Sequence, residues 1–216
     1  MLTLFPCPSG SHLAPRSVHL SRFWCAAVLL LIALPVALSA QPAEPVIGKL
    51  SFDQLTERAA AIVVGTVAGR RSEWEFYGSA RLIITRVTVE VEQTLKGSAP
   101  KTLTVDVVGG TIGDVTQRVF HVPDFRVGDR DVLFLNNAPH AVSPLVGSDQ
   151  GRFRVVRESA TGTPRILTVG FAPLVAVAHI GAASEGTPLV RSMSAAMSLA
   201  DFATVIRDRA RQLERR

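Results

Sequence analysis

Cysteine is nearly missing from this chain of 216 residues: there are two, Cys7 and Cys25, both near the N-terminus. If the leader described below is removed, no disulfide, thiolate metal site or Cys nucleophile remains, and the fold must stand on its own apolar core. Charge of one sign is missing too. Residues 41–206 hold 16 Lys and Arg against 16 Asp and Glu, so the +5 formal charge comes from Arg16 and Arg22 and from the last ten residues, where five arginines stand against Asp208 and Glu214. A neutral body of this kind argues against a nucleic-acid partner, which is gripped by neutralising many phosphates. Residues 41–216 carry one Trp, Trp74, and one Tyr, Tyr77, three positions apart.

What the chain does have, first, is one long apolar run. No charge occurs in residues 23–43, and the run WCAAVLLLIALPVALSA (residues 24–40) follows Arg16 and Arg22 and closes on small residues. That order of basic, apolar and small-residue regions reads as a secretory signal peptide over residues 1–40, cut between Ala40 and Gln41. The run is short for a membrane span and Pro35 interrupts it, so cleavage is favoured over anchoring. The expectation is an exported protein, periplasmic or extracellular, with no stable membrane association after cleavage.

Residues 41–180 read as a β domain. Ser51 and Gln54 form the pattern of a capping box opening a short helix. Residues 62–67 are a β-branched strand, and residues 70–79 are expected to be a polar loop carrying Trp74, Phe76 and Tyr77. Val87, Val89 and Val91 alternate with polar residues. So do Leu103, Val105 and Val107, and Lys96, Gly97 and Pro100 between the two runs mark a hairpin. Residues 132–135 are continuously apolar and are expected to be a strand covered on both faces. Residues 152–157 should pair with 166–169 across the turn at 161–164. A Ser/Ala/Gly-rich linker is read over residues 181–197. A helix follows over 198–216, capped by Ser198, with Leu199, Phe202, Ile206 and Leu213 on one face and only its first turns held by burial. The expected fold is mainly β: an OB-like antiparallel barrel with a short N-terminal helix and a C-terminal helix.

No motif places chemistry. The Gly109-Gly110-Thr111-Ile112-Gly113 run lacks the spacing of a phosphate loop and reads as a turn before more β structure. His121, His140 and His179 share no helical spacing, so no metal site and no cofactor is expected. Asp124, Asp129 and Asp131 read as solvated turn residues. Gly147-Ser148-Asp149-Gln150-Gly151 is not a nucleophile elbow and reads as a hydroxyl-capped turn. The aromatic trio Trp74, Phe76 and Tyr77 has two readings: a partner-binding patch, or a satellite core folded back over the barrel mouth.

The elements V-E-x-x-L-K-G (residues 91–97, Val91 to Gly97) and V-G-x-R-x-V-L-F-L (residues 127–135), with the strand AAIVVGTV (60–67) and the GGTIG turn, resemble a family of uncharacterised exported bacterial proteins. The same layout is remotely similar to the OB-like barrel of the netrin and tissue-inhibitor-of-metalloprotease module. In that module an N-terminal cysteine chelates the protease zinc and disulfides hold the fold. A chain starting near Gln41 has neither, so that mechanism does not transfer. The expected barrel points to an exported, non-enzymatic binding module that holds a protein or glycan partner through its loops, the Trp74 loop among them, and the remote likeness suggests an accessory or inhibitor of a secreted protease as its nearest variant. The alternative is a secreted hydrolase whose site converges from separate loops, using His121, Asp124 and Ser148.

Overall fold

The structure, a computed structural model, describes residues 48–137, 143–182 and 192–215. The leader, its expected cleavage site at Ala40 and Gln41, His140 and most of the expected linker lie outside the described residues.

The chain opens with helix α1 (Phe52–Arg58). Ser51 and Gln54 form the reciprocal capping box expected of them, and Lys96 donates from Nζ to the carbonyls of Thr56 and Ala59 at the other end, both at 2.6 Å. Then come β1 (Ala61–Tyr77), β2 (Ala80–Lys96), β3 (Thr102–Val108), the short pair β4 (Gly110–Ile112) and β5 (Val115–Gln117), β6 (Arg130–Leu135), β7 (Arg152–Arg157) and β8 (Pro164–Thr168). Helix α2 (Leu199–Glu214) closes the chain, with Ser198 accepting from the Asp201 N–H.

Six strands make one antiparallel sheet in the order β3-β2-β1-β6-β7-β8. The protein is therefore mainly β, with an antiparallel sheet and two helices. The hairpin β2–β3 and the hairpin β7–β8 fall where the turn residues placed them. The sheet has two ends: among the described residues no ladder joins β3 to β8. The outer side of β8 is covered by its own chain, since the Ile166 N–H donates to Met197 and the Leu174 N–H to Ile166, both at 3.0 Å. Residues 196 and 197, expected to belong to an exposed linker, are thus laid against β8, and Ala196 is buried.

The middle of the sheet is dry on both sides. Ile62 and Val64 of β1 and Val132 and Phe134 of β6 face a core shared with α1 and α2, where the rings of Phe52, Phe134, Phe153 and Phe202 meet at 5.2–6.5 Å. Ala61, Val63 and Val67, with Leu133 and Leu135, face a second core built with Val87, Val89, Leu103, Val105, Val107 and Phe125. Two cores explain why residues 132–135 are continuously apolar: successive side chains point to opposite faces, and both faces are covered. Three register shifts against β2, between Ile62 and Gly69, bend β1, and Gly65 sits where a Cβ would lie 2.6 Å from the Val89 side chain. Bulges and a small residue at close approach are how a strand this long turns.

Burial of α2 extends beyond its first turns. Phe202, Ala203, Ile206 and Ala210 are all buried, and Arg209 pairs with Asp53 of α1 at 2.8 Å. The small Ala210 lets the fourth turn stay close, and an ion pair holds a stretch that looked too poor in large apolar residues to dock.

Candidate functional site

β1 does not stop at Val67. Residues 70–77, expected to be a loop, continue as strand and pair with 80–87 to form an arm; β3 flanks its inner part as far as Ile84, and among the described residues only 74–77 and 80–83 form a two-stranded ribbon. Its turn is the two-residue link Gly78-Ser79 between Tyr77 and Ala80, with Gly78 at φ 62°, the position at which a tight hairpin favours glycine. The register lines up the cross-strand pairs Arg70/Val87, Ser72/Thr85, Trp74/Ile83 and Phe76/Arg81 on one face of the arm. The alternation Trp74, Phe76 before a Gly-X pair was the signal for this hairpin, masked by the charges interleaved on the other face.

The pairing of β1 with β6 ends at Thr66, so among the described residues the outer part of the arm has no third strand on that side. Trp74 is 37% and Phe76 78% exposed. The guanidinium of Arg81 stacks over the Trp74 ring at 4.8 Å, a cation–π contact across the pair of strands. On the opposite face Arg86 is clasped by Glu73 and Glu75, with Asp106 at 3.6 Å. A charged back and an aromatic front give the arm a direction. The satellite-core reading fits Ile83, which is fully buried, and does not fit Phe76.

Below the aromatics on the same face lies a pocket of about 390 Å³, walled by Arg70, Thr85, Val87 and Val107 on the sheet side and by residues 109–126 on the other. Thr85 fixes its upper rim, donating to the Gly109 carbonyl at 2.6 Å and sharing a hydrogen bond with Ser72 at 2.8 Å. Gly110, at φ 139°, crosses so close that a Cβ would lie 2.2 Å from Thr85 Oγ1. The Gly109–Gly113 run, expected to be a turn, is therefore mostly strand: Gly110–Ile112 is β4, the turn falls at Gly113-Asp114, and Val115–Gln117 after it is β5.

The lower wall is held from beneath by Arg152, whose side chain is fully buried. It donates to Asp131 from Nε (3.0 Å) and Nη2 (2.8 Å), to Asp129 at 2.7 Å and to the Asp124 carbonyl at 2.8 Å, and it stacks on Phe125 at 4.3 Å. Asp131 is 1% exposed and Asp129 half-buried, which corrects their reading as solvated turn residues; only Asp124, at 72%, is such a residue. Burial raises the Asp131 carboxyl above the ordinary aspartate value, more than Arg152 lowers it. Burial acts the same way on Asp129, but there the Arg126 N–H and Arg152 prevail and hold the carboxyl below its ordinary value. The ion cluster was invisible in sequence because Arg152 lies 21 residues from Asp131.

The residues of the hydrolase alternative go to different partners. His121 Nδ1 lies 3.5 Å from Asp149, whereas Asp124 pairs with Arg70 at 3.1 Å. Ser148 opens a one-turn 3-10 helix (Ser148–Gly151) with no side-chain cap, so the turn there is not capped by a hydroxyl. No hydrogen bond joins His121, Asp124 and Ser148 among the described residues. His179 sits in another 3-10 turn (Val177–His179), and no cluster of three metal-ligating side chains occurs among the described residues. Nor is any described helix long and apolar enough to cross a membrane.

No family model, curated protein or solved structure matches the chain.

Proposed function

We propose that this protein is an exported, non-enzymatic binding module that holds a protein or glycan partner through the aromatic front of the β1–β2 arm. The observation that carries the reading is the exposure of Phe76 and Trp74 on a ribbon that extends past the sheet. Large aromatics exposed on a rigid element are the usual anchors of binding patches, since two torsions immobilise a large apolar area. The curled, OB-like barrel is proposed with it: the β1-β2-β3 meander, the return through β6 and β7 beside β1, and the bulges that bend β1 support a partly open barrel of that kind. Export rests on the leader, residues 1–40, and places the partner in the periplasm or outside the cell. A secreted protease is the nearest specific partner, by the remote likeness to netrin-type modules. The hydrolase alternative gains nothing from the geometry, because no contact aligns a nucleophile with a base.

The test is capture from the native extracellular fraction by wild-type protein and by the triple variant Trp74→Ala, Phe76→Ala, Tyr77→Ala. The reading expects proteins or glycans held by wild type to be lost by a variant that unfolds at the same midpoint. An unchanged set of captured partners overturns it.

A further inference from the structure

The pocket beneath the arm carries an inference separate from the partner face. Its residues include three arginines, Arg70, Arg118 and Arg126, against one carboxylate, Asp124. Arg70 is already committed, donating from Nη1 to Asp124 Oδ1 at 3.1 Å and to the Phe125 carbonyl at 2.9 Å. The guanidinium groups of Arg118 and Arg126 have no hydrogen bond or ion pair among the described residues. Gln117 Oε1 accepts from the Ile83 N–H at 3.0 Å, which leaves the side-chain NH2 as a further unmatched donor. Three guanidinium groups stand against one carboxylate around the cavity, so the surplus charge is positive.

Unpaired surface arginines alone mean little, because water solvates them well. Here they border a concavity of about 390 Å³, within the size range of small-molecule sites, which also touches Val87, Val107, Val122 and Phe125. The walls are pinned rather than adaptable: Thr85 holds Gly109, Ile83 holds Gln117, Arg70 holds Phe125, and Arg152 holds the carbonyl of Asp124. A preformed cavity with an apolar floor and two idle guanidinium forks fits a ligand with an apolar body and a planar or tetrahedral oxyanion head. A cation is disfavoured, since the one carboxylate is neutralised by Arg70.

We propose that this pocket binds a small organic oxyanion, its carboxylate or phosphate head between Arg118 and Arg126 and its apolar body toward Val87 and Phe125. The test titrates the ¹⁵N-labelled protein with benzoate, phenyl phosphate and the neutral benzyl alcohol, following amide shifts. The expected result is a saturable shift at Gly109, Gly110, Gln117 and Arg118 with at least one anion and none with the alcohol. Whether benzoate or phenyl phosphate binds more tightly then assigns the head group. In the Arg118→Gln, Arg126→Gln variant, whose replaced side chains support nothing else, affinity should fall about tenfold or more, the loss of roughly one charge-assisted contact. No saturable shift with either anion, equal shifts with benzyl alcohol, or undiminished affinity in the double variant would overturn the proposal. None of these outcomes bears on capture by the aromatic front, which the variant leaves in place.

Discussion

Strand β1 is two strands in one. Its first half, from Ala61 to Val67, is covered on both faces and flanked by β2 and β6; its second half, from Arg70 to Tyr77, is paired among the described residues with β2 alone and carries exposed aromatics. The backbone pairing with β2 continues through both, so the difference is in what covers the strand. Ile62 and Val64 are sealed by the two helices, Val63 and Val67 by the inner face of β2 and β3. Beyond Ile83 nothing of that size lies over the arm among the described residues, and Phe76 is 78% exposed. Burial in the first half secures the fold; its absence in the second leaves the exposed apolar face on which the proposed partner would dock.

That contrast can be broken by mutation, and the largest effect belongs to the covered side. Phe202 is fully buried, with its ring 5.2 Å from that of Phe153, so Phe202→Ala should destabilise by about 3–5 kcal/mol. Phe76→Ala, the same change on the arm, should lie within about 0.5 kcal/mol of wild type. Denaturant unfolding compares them directly, and equal losses would mean that the arm is part of the core.

Arg152 gives the next effect. Arg152→Met keeps a side chain of similar volume but strands Asp131, already raised by burial, without its hydrogen-bonded partner and with only the weaker pull of Arg154. Removing one partner of such a pair costs about 3–5 kcal/mol, with part of the loss avoided here because the carboxyl takes up a proton. Stability of the variant should therefore recover as pH falls. The sign follows from linkage: a carboxyl whose folded value is raised binds its proton more tightly folded than unfolded, so acid favours the fold until the unfolded group is protonated too. Unfolding curves at neutral and mildly acidic pH check this, and a variant that weakens in step with wild type contradicts it.

The smallest effect sits at the surface. Hydrogen bonds from Arg130, opposed by partial burial and helped by Thr66, hold the Glu92 carboxyl below its ordinary 4.5. Its contribution is present above that ordinary value and is lost as pH falls through the depressed one. Arg130→Gln should bring the Glu92 titration, followed by carboxyl NMR, back up toward 4.5 with little change in neutral stability, because the pair is partly solvated.

Local chemistry made much of the fold legible in the sequence. The Ser51/Gln54 box, the alternation in β2 and β3, the unbroken apolar run of β6 and the Thr161–Pro164 turn each act over a few residues. What escaped depended on distance or on masking. Asp129 and Asp131 looked solvated because their partner Arg152 arrives from another strand, and Ala210 looked too small to dock until α1 supplied Asp53 for Arg209. The arm passed for a loop because Arg71, Glu73 and Glu75 on its charged face broke up the apolar alternation of Trp74 and Phe76. The pocket has no sequence signature, since Arg118 and Arg126 lie in a segment whose course is set by Arg70 and Arg152.

The division of β1 is open to direct measurement by residue-resolved hydrogen exchange. Amides from Ile62 to Val67 should exchange only through global unfolding, whereas those from Glu73 to Leu82 should exchange orders of magnitude faster, through local opening of a ribbon that little covers. Equal protection along the whole of β1 in the isolated protein would contradict the account, because the arm would then belong to the core and would not be free to bind.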